Sequence, residues 1–137
     1  QFLHDCQAAW NWTIDSWSDA TPECSSAQYI TCHESGMIVT MYLPYRALEG
    51  PIPTSISNLR ELVDLNLGQN QLSGSIPTEI FTLTRLTLLV LYRNQLTGSI
   101  PSGIGMLTNL AECSLAQNQL SGSISIEIST LTTLKYL

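Results

Sequence analysis

The chain has 137 residues, of which 44% are hydrophobic and 12% are charged, and its formal net charge is −6. This length and apolar content suit a single domain with one core and argue against a disordered chain. Nucleic acid and anionic lipid are not expected as partners, because the chain is acidic and has no run of basic residues. Its bases are scattered, at Arg46, Arg60, Arg85, Arg93 and Lys135.

The N-terminal region carries most of the cysteines. Cys6, Cys24 and Cys32 precede the repeats described below, whereas Cys113 lies far along the chain. Three cysteines clustered at one end indicate a local disulfide formed in an oxidising compartment. Asn11 begins an N-glycosylation sequon, which agrees with secretion. No apolar run reaches the roughly 20 residues of a membrane helix, so direct membrane insertion is not expected.

The remainder of the chain is built from a unit that repeats without insertion or gap. An earlier degenerate unit spans residues 37–51, and a final unit, 124–137, stops partway. Self-similarity at a fixed period predicts a stack of units, or rungs, each of which buries its apolar side chains against its neighbours. We therefore divide the chain into a cap, residues 1–36, and a repeat region, residues 37–137. The complete units are 52–75, 76–99 and 100–123.

Leucine recurs at fixed positions in every unit, so that stacked units form leucine columns. Two leucines separated by one residue fit a short strand with both side chains facing inward. Stacking then places one strand per unit in a parallel sheet, with about 4.8 Å between neighbours. The columns are Leu59/Leu83/Leu107/Leu131, Leu62/Leu86/Leu110/Leu134, Leu65/Leu89/Cys113/Leu137 and Leu67/Leu91/Leu115.

Other columns predict the turns between strands. Asn70, Asn94 and Asn118 are predicted to form a structural ladder, because a buried amide can satisfy backbone groups that a turn leaves unpaired. A glycine column permits left-handed backbone, and a proline column ends the extended stretch before it. Cys113 replaces a core leucine and is predicted to be a buried free thiol, roughly 14 Å from the first strand and too far to bridge to the cap.

The combined pattern, L-x-x-L-x-x-L-x-L-x-x-N-x-L-[ST]-G-x-I-P-x-x-I, resembles the plant-type leucine-rich repeat. That family includes receptor-kinase ectodomains, polygalacturonase-inhibitor proteins, some plant antifreeze proteins and algal secreted proteins. The resemblance covers residues 37–137. It implies a mainly β repeat solenoid, a right-handed superhelix with a concave parallel sheet and a second, short sheet from the L-x-G-x-I stretch. It also implies a secreted or extracellular location, with the lumen of an oxidising compartment as the alternative.

The N-terminal segment is similar to that family's disulfide-bearing cap. Residues 5–10 resemble the start of a capping helix, and Cys24 with Cys32 resembles the cysteine pair before the first strand. The resemblance favours a Cys24–Cys32 bridge, while Cys6–Cys24 and Cys6–Cys32 remain open. The stretch before Cys32 departs from the family's W-x-G-V-x-C pattern, and the cap has three cysteines where an even number is expected.

The residues that alternate with the inward leucines are predicted to line the concave face. Leu88, Val90 and Tyr92 are predicted to form an exposed apolar stripe with Arg93 beside it. Tyrosine and arginine are frequent anchors of protein interfaces, so we expect a protein or peptide to bind here. The alternative is that these are strand-forming residues tolerated on a surface. The candidate partner-binding residues are Tyr42, Tyr45, Asp64, Asn66, Leu88, Val90, Tyr92, Arg93 and Glu112.

Two alternatives to a recognition module remain. In the first alternative, the chain is a structural subunit of a larger extracellular or lumenal assembly, with neighbouring subunits as its partners. As a minor alternative it binds ice through regular polar columns, although the ordinary role of these residues is the family turn. The columns are Gln71/Gln95/Gln119, Ser73/Thr97/Ser121 and Ser75/Ser99/Ser123.

Catalytic and metal-binding groups are sparse in the sequence. Both histidines, His4 and His33, precede the repeats, and no second cluster with metal-ligand spacing accompanies His33. The repeats contain no histidine that would activate a serine, and Gly103-x-Gly105 lacks the third glycine of a dinucleotide-binding turn. We expect no enzymatic activity, no metal and no cofactor.

The last unit stops at Leu137, the first leucine of its strand. A solenoid needs terminal rungs with a polar outer face, and an uncovered strand edge invites pairing with another chain. We therefore expect that further repeats follow or that a partner covers this end, and that residues 1–137 alone are poorly soluble or oligomeric.

Overall fold

The computed structural model describes residues 29–34 and 36–136. Some of the sequence predictions concern positions outside these residues. They are the capping helix at 5–10, the glycosylation site Asn11, the cysteines Cys6 and Cys24, and the terminal Leu137.

Short strands recur once or twice in every rung, and they form two sheets. The main sheet has the order β1-β2-β4-β6-β8, and the second sheet has the order β3-β5-β7-β9. All neighbours are parallel except β1, which is antiparallel to β2. The repeat solenoid predicted from the leucine spacing is therefore confirmed. The strands are β1 (Ile30–Cys32), β2 (Ile38–Tyr42), β3 (Glu49–Pro51), β4 (Asp64–Asn66), β5 (Gln71–Ser75), β6 (Leu88–Val90), β7 (Gln95–Gly98), β8 (Glu112–Ser114) and β9 (Gln119–Leu120).

The register of the main sheet equals the sequence repeat. Asp64 pairs with Leu88, and Leu88 pairs with Glu112, so each step across the sheet advances by one complete repeat unit. Side chains of the same column therefore lie beside one another on adjacent strands. The inward leucines of this sheet, among them Leu65 and Leu89, are almost completely buried.

The second sheet has a different register. Ser73 of β5 is equivalent in the repeat to Thr97, but it pairs with Gln95 of β7, two positions earlier. Thr97 pairs in the same way with Gln119 of β9, two positions before its own equivalent. Each strand is thus shifted by two residues relative to its equivalent in the next rung, and residues of the same column are not direct neighbours across the second sheet.

A 3-10 helix follows the second-sheet region of each rung, which the sequence pattern did not predict. The residue before each helix, proline in the first three rungs and Ser125 in the last, has extended backbone, with φ of −71°, −69°, −64° and −64°. Proline suits this position because its ring fixes φ near these values and no N–H is needed there. The helices are Thr54–Asn58, Thr78–Thr82, Ser102–Met106 and Ile126–Thr130. In the described part of the chain, none of these short helices could cross a bilayer.

The asparagine ladder joins neighbouring rungs through the backbone. Asn94 Nδ2 donates to Leu91 O in its own rung and to Leu67 O in the preceding rung, both at 3.0 Å. Its Oδ1 accepts from Leu72 N, also at 3.0 Å. Asn70 and Asn118 repeat this arrangement one rung earlier and one rung later. The ladder therefore fixes the turn at which the main-sheet residues give way to the second sheet.

Candidate functional site

The outer face of the main sheet, which faces away from the leucine core and is the predicted concave face, carries a cluster of tyrosines. The Tyr92 ring lies against Gly68 of the preceding rung, since a Cβ added to Gly68 would come within 2.8 Å of Cδ1 and Cε1 of that ring. Tyr92 thus extends across a whole rung toward Tyr42 and Tyr45. The glycine at position 68 supplies the space for this approach.

The pKa of Tyr92 reports the same proximity. Partial desolvation raises the pKa of this phenol above its usual value, and Tyr45 raises it further through charge interaction and side-chain hydrogen bonding. Arg93 acts in the opposite direction, and Tyr42 adds a smaller upward contribution. The phenol is therefore neutral at physiological pH and serves as a hydrogen-bonding group with an aromatic face.

Tyr29, the residue before the antiparallel strand β1, extends the cluster at its other side. Tyr42 N donates to Tyr29 O at 2.7 Å, which places Tyr29 next to Tyr42 on the neighbouring chain segment. The Arg46 guanidinium lies over the Tyr29 ring, 3.6 Å from its centroid. We call Tyr29, Tyr42, Tyr45 and Tyr92, together with Arg46 and Arg93, the tyrosine–arginine patch; it holds four of the five tyrosines in the sequence.

The patch is accessible to a partner. Tyr42 is 56% exposed and Tyr45 is 72% exposed, which is unusual for such large apolar groups. Tyr45 has a φ of 57° and Arg93 a φ of 58°, and the equivalent residues Gln69 and Gln117 share this left-handed backbone. The turn is held by rung-to-rung hydrogen bonds, such as Gln69 N to Tyr92 O at 2.9 Å. The side chains at these positions are therefore presented by a rigid turn and not by a loose loop.

The basic and acidic groups of the outer face lie at opposite ends of the strands. Asp64 and Glu112 stand at the beginnings of β4 and β8, and Asp64 Oδ1 accepts a hydrogen bond from Thr87 Oγ1 at 2.8 Å. Arg93 follows the end of β6, where its Nη1 donates to Gln69 Oε1 at 3.3 Å. Among the described residues, Arg85 forms an ion pair with Glu61, with 2.6 Å between Nη1 and Oε2. Neither Arg46 nor Arg93 has a carboxylate partner among these residues.

The predicted apolar stripe is wrong at Val90. This side chain is only 6% exposed, and Leu88 and Tyr92 are half-buried. Val90 lies on a central strand, with Asn66 and Ser114 in register on either side. Leu88 and Tyr92 precede and follow it on the same face, so its short branched side chain is enclosed on all sides. Asn66 is also occupied locally, because its Oδ1 accepts from Gly68 N at 3.0 Å. The exposed aromatic surface is thus displaced from the middle of the strands to their ends.

Sequence reasoning missed three contributors to this surface. Tyr29 lies in the segment assigned to the cap, and Arg46 follows the end of β2, where alternation along a strand no longer indicates the direction of a side chain. The succession of strand-forming residues Tyr29, Ile30 and Thr31 was the available signal for β1. Gly68 is the third, since the repeat pattern does not show that it is buried beneath Tyr92.

The described cysteines are not available for surface chemistry. Cys113 is a free, buried thiol, and burial raises its pKa to about 11. Cys32 is disulfide-bonded, while the other two cap cysteines lie outside the described residues. Within residues 29–34 and 36–136, no group of three or more His, Cys, Asp or Glu side chains is arranged to hold a metal ion.

Comparison with known proteins places this fold in a family. The family described as Leucine Rich Repeat matches residues 61–83 and 85–107. The BIR2 ectodomain from Arabidopsis thaliana is 30% identical, with a TM-score of 0.89 over 98% of this chain and 75% of that one. No curated protein sequence matches the chain.

Two further solved structures differ in how much of their length the chain spans. The ectodomain of the receptor kinase GASSHO1/SCHENGEN3 from Arabidopsis thaliana, in complex with CASPARIAN STRIP INTEGRITY FACTOR 2, is 31% identical with a TM-score of 0.88; the match covers 98% of this chain but 17% of that one. A plant ice-binding protein is 27% identical with a TM-score of 0.70, over 99% of this chain and 56% of that one. From the repeat match and the likeness to the BIR2 ectodomain, the chain belongs to the plant-type leucine-rich-repeat family.

Proposed function

We propose that the chain is a non-catalytic recognition module, secreted or part of an ectodomain, that binds a protein or peptide through the outer face of its main sheet. The observation that carries this proposal is the tyrosine–arginine patch. Tyrosine and arginine dominate the energetics of protein interfaces, because they bury a large area and still offer hydrogen bonds at their tips. Here such residues come from the cap strand and two different rungs and meet on one rigid surface.

The family relationship supports a recognition role. Two of the similar structures are receptor-type ectodomains, and one of them was solved with a bound factor. The chemistry of the patch also favours binding over catalysis. A tyrosine whose pKa is raised is a poor nucleophile and a poor base near neutral pH, so Tyr92 is suited to contact a ligand and not to react with it.

A steric block on each of the two sheets tests which face binds. Peptides are first selected from a random twelve-residue display library against the full chain. Ala116→Cys places a thiol on the exposed end of the main-sheet outer face, and Ser121→Cys places one on the exposed second-sheet side. Each thiol is labelled with a bulky maleimide under non-reducing conditions, and the unsubstituted chain treated in the same way controls for reaction at the cysteines of the native sequence.

The proposal expects the label at Ala116→Cys to block binding of the selected peptides and the label at Ser121→Cys to leave it intact. Blockage by the second label alone would move the binding surface to the second sheet. If peptides bind neither variant differently from the unlabelled chain, the outer face is not the recognition surface and the assembly role becomes the better explanation.

Ice binding is a second candidate because one similar structure is a plant ice-binding protein. Exposed polar residues such as Ser75, Thr97 and Ser121 line the second sheet. The two-residue shift of that sheet, however, pairs Ser73 with Gln95. The hydroxyl pair Ser75 and Thr97 is not continued either, because Thr97 pairs with Gln119 on the next strand. We expect no thermal hysteresis from the purified chain in an ice-growth assay, and measurable hysteresis would establish this second function.

A further inference from the structure

The tyrosine–arginine patch differs in charge from the rest of this acidic chain. The protein has 5 basic and 11 acidic residues, yet two of the five bases belong to the patch. Within the described residues neither is neutralised by a carboxylate, whereas Arg85, outside the patch, is paired with Glu61. Arg46 is held over the Tyr29 ring and Arg93 is hydrogen-bonded to Gln69. Both cations are therefore held in place by neutral groups, which leaves their charge available to a ligand.

The acidic groups of the outer face do not cancel this local charge. Asp64 and Glu112 occupy the column of Leu88, which precedes Arg93 by the length of the strand and its turn. Five residues of nearly extended chain span on the order of 15 Å. The Debye length at physiological ionic strength is about 8 Å, so charges this far apart at a solvated surface are largely screened from one another. Of the described charges on the outer face, a ligand at the strand ends therefore experiences mainly the two arginines.

We propose that the tyrosine–arginine patch anchors an acidic peptide segment whose two carboxylates, three residues apart, pair with Arg46 and Arg93 while the residues between them lie on the tyrosines. This inference rests on the proposed recognition function and assigns its ligand class.

The spacing follows from the sheet. Arg46 and Arg93 belong to rungs that are two strand spacings apart, about 10 Å. In a peptide with polyproline II backbone, which has three residues per turn and rises about 3.1 Å per residue, residues i and i+3 lie on the same side of the peptide and about 9 Å apart. A peptide that crosses the rungs therefore brings acidic side chains at i and i+3 over the two arginines. Its middle residues meet Tyr42 and Tyr45, which are the most exposed aromatics of the patch.

Three peptide pools and one carbohydrate test charge and spacing together. The first pool is Gly-Glu-x-x-Glu-Gly, where x is tyrosine, leucine or proline. The second pool replaces both glutamates with lysine. Every probe carries a neutral fluorophore, whose anisotropy reports binding. A third pool, Gly-Glu-Glu-x-x-Gly, keeps the composition of the first but changes the spacing. The fourth probe is a uronic-acid oligosaccharide with two carboxylates. All are titrated against the full chain.

Two double variants provide a matched comparison. Arg46→Gln with Arg93→Gln removes both patch cations, and Arg60→Gln with Arg85→Gln removes two cations outside the patch. Each double variant changes the net charge from −6 by the same two units, to −8, so a difference between them reports position and not total charge. We expect the patch variant to weaken the first pool about tenfold, as two exposed ion pairs would, and the control variant to leave its affinity within about twofold.

The outcomes separate this inference from the proposed function. Preference for the lysine pool, equal binding of the two glutamate spacings, an equal loss in both double variants, or tighter binding of the oligosaccharide would overturn the acidic-peptide assignment. In any of those cases, blockage of the bound probe by the maleimide label at Ala116→Cys would leave the recognition face in place. Binding of the first pool that the label does not block would instead refute the outer face itself.

Discussion

The asparagine ladder offers the sharpest test of what holds the main sheet and its turns together, and Asn94→Ala is the perturbation that isolates it. The Asn94 side chain is 8% exposed, and its three shortest hydrogen bonds, each of 3.0 Å, join its amide to Leu72 N, Leu67 O and Leu91 O. Its loss does not affect these groups equally. Leu67 O also accepts from Asn70, and Leu91 O also accepts from Asn118, so each carbonyl retains one donor. The Leu72 N–H donates to Asn94 and is left without that acceptor.

The expected cost follows from this difference. An unsatisfied buried donor costs about 1–3 kcal/mol, and each of the two lost carbonyl interactions contributes about 0.5–1.5 kcal/mol. Asn94→Ala should therefore lower the free energy of unfolding by about 3–4 kcal/mol. Asn118→Ala is the matched control, because Asn118 makes equivalent bonds but is half-buried, so water replaces part of what it loses. We expect a loss of about 1 kcal/mol there.

Urea denaturation followed by far-UV circular dichroism measures both values, provided that the dependence on urea is unchanged between variants. The ranking is the critical result. Equal losses in the two variants, or a loss below about 1 kcal/mol for Asn94→Ala, would show that backbone groups in this turn do not depend on the ladder and would refute the accounting by hydrogen bonds.

Three further outcomes are expected. Burial raises the Cys113 pKa from 9.0 to about 11, so the folded state holds this proton more tightly than the unfolded state does. Up to about 3 kcal/mol of stability is therefore present below pH 9 and is lost as the pH rises toward 11. Thermal melts across this range should show no such loss in Cys113→Leu. Gly68→Ala should displace the Tyr92 ring and lower its pKa toward the usual value, as ultraviolet titration against Tyr92→Phe would reveal, and an unchanged pKa would contradict the contact. Gln69→Gly should stabilise the chain by up to about 1 kcal/mol and Gln69→Val should destabilise it, because φ at this turn is 57°; thermal melts that rank the two variants in the opposite order would disprove this.

The main sheet was predictable because its register equals the sequence period. Asp64, Leu88 and Glu112 occupy the same position in successive repeat units and are adjacent in space, so the columns of the sequence are the columns of the sheet. The second sheet was predictable in existence but not in register. Ser73 pairs with Gln95 and not with its repeat equivalent Thr97, and nothing in the repeat indicates this shift of two residues.

The candidate surface was predictable only in part, because side-chain direction depends on neighbouring rungs. The sequence pattern correctly placed Tyr42, Tyr45 and Tyr92 on one face, but it could not show that Tyr92 leans across Gly68. That contact depends on the absence of a side chain one rung earlier. Val90 was misassigned for a similar reason, since alternation predicts the face of a strand and not the depth of burial on that face.

The central claim is that the outer face of the main sheet is where this chain recognises its partner. The most direct test is a two-dimensional NMR spectrum that correlates amide nitrogens with their protons. It is recorded on the full chain, isotope-labelled with nitrogen, during titration with a library-selected peptide. The account predicts shift changes concentrated at the ends of β2, β4 and β6 and at the turn residues Tyr45, Gln69 and Arg93, with the 3-10 helices and second sheet unaffected. Shift changes concentrated on β5, β7 and β9, or on the helices, with a silent main sheet, would contradict it.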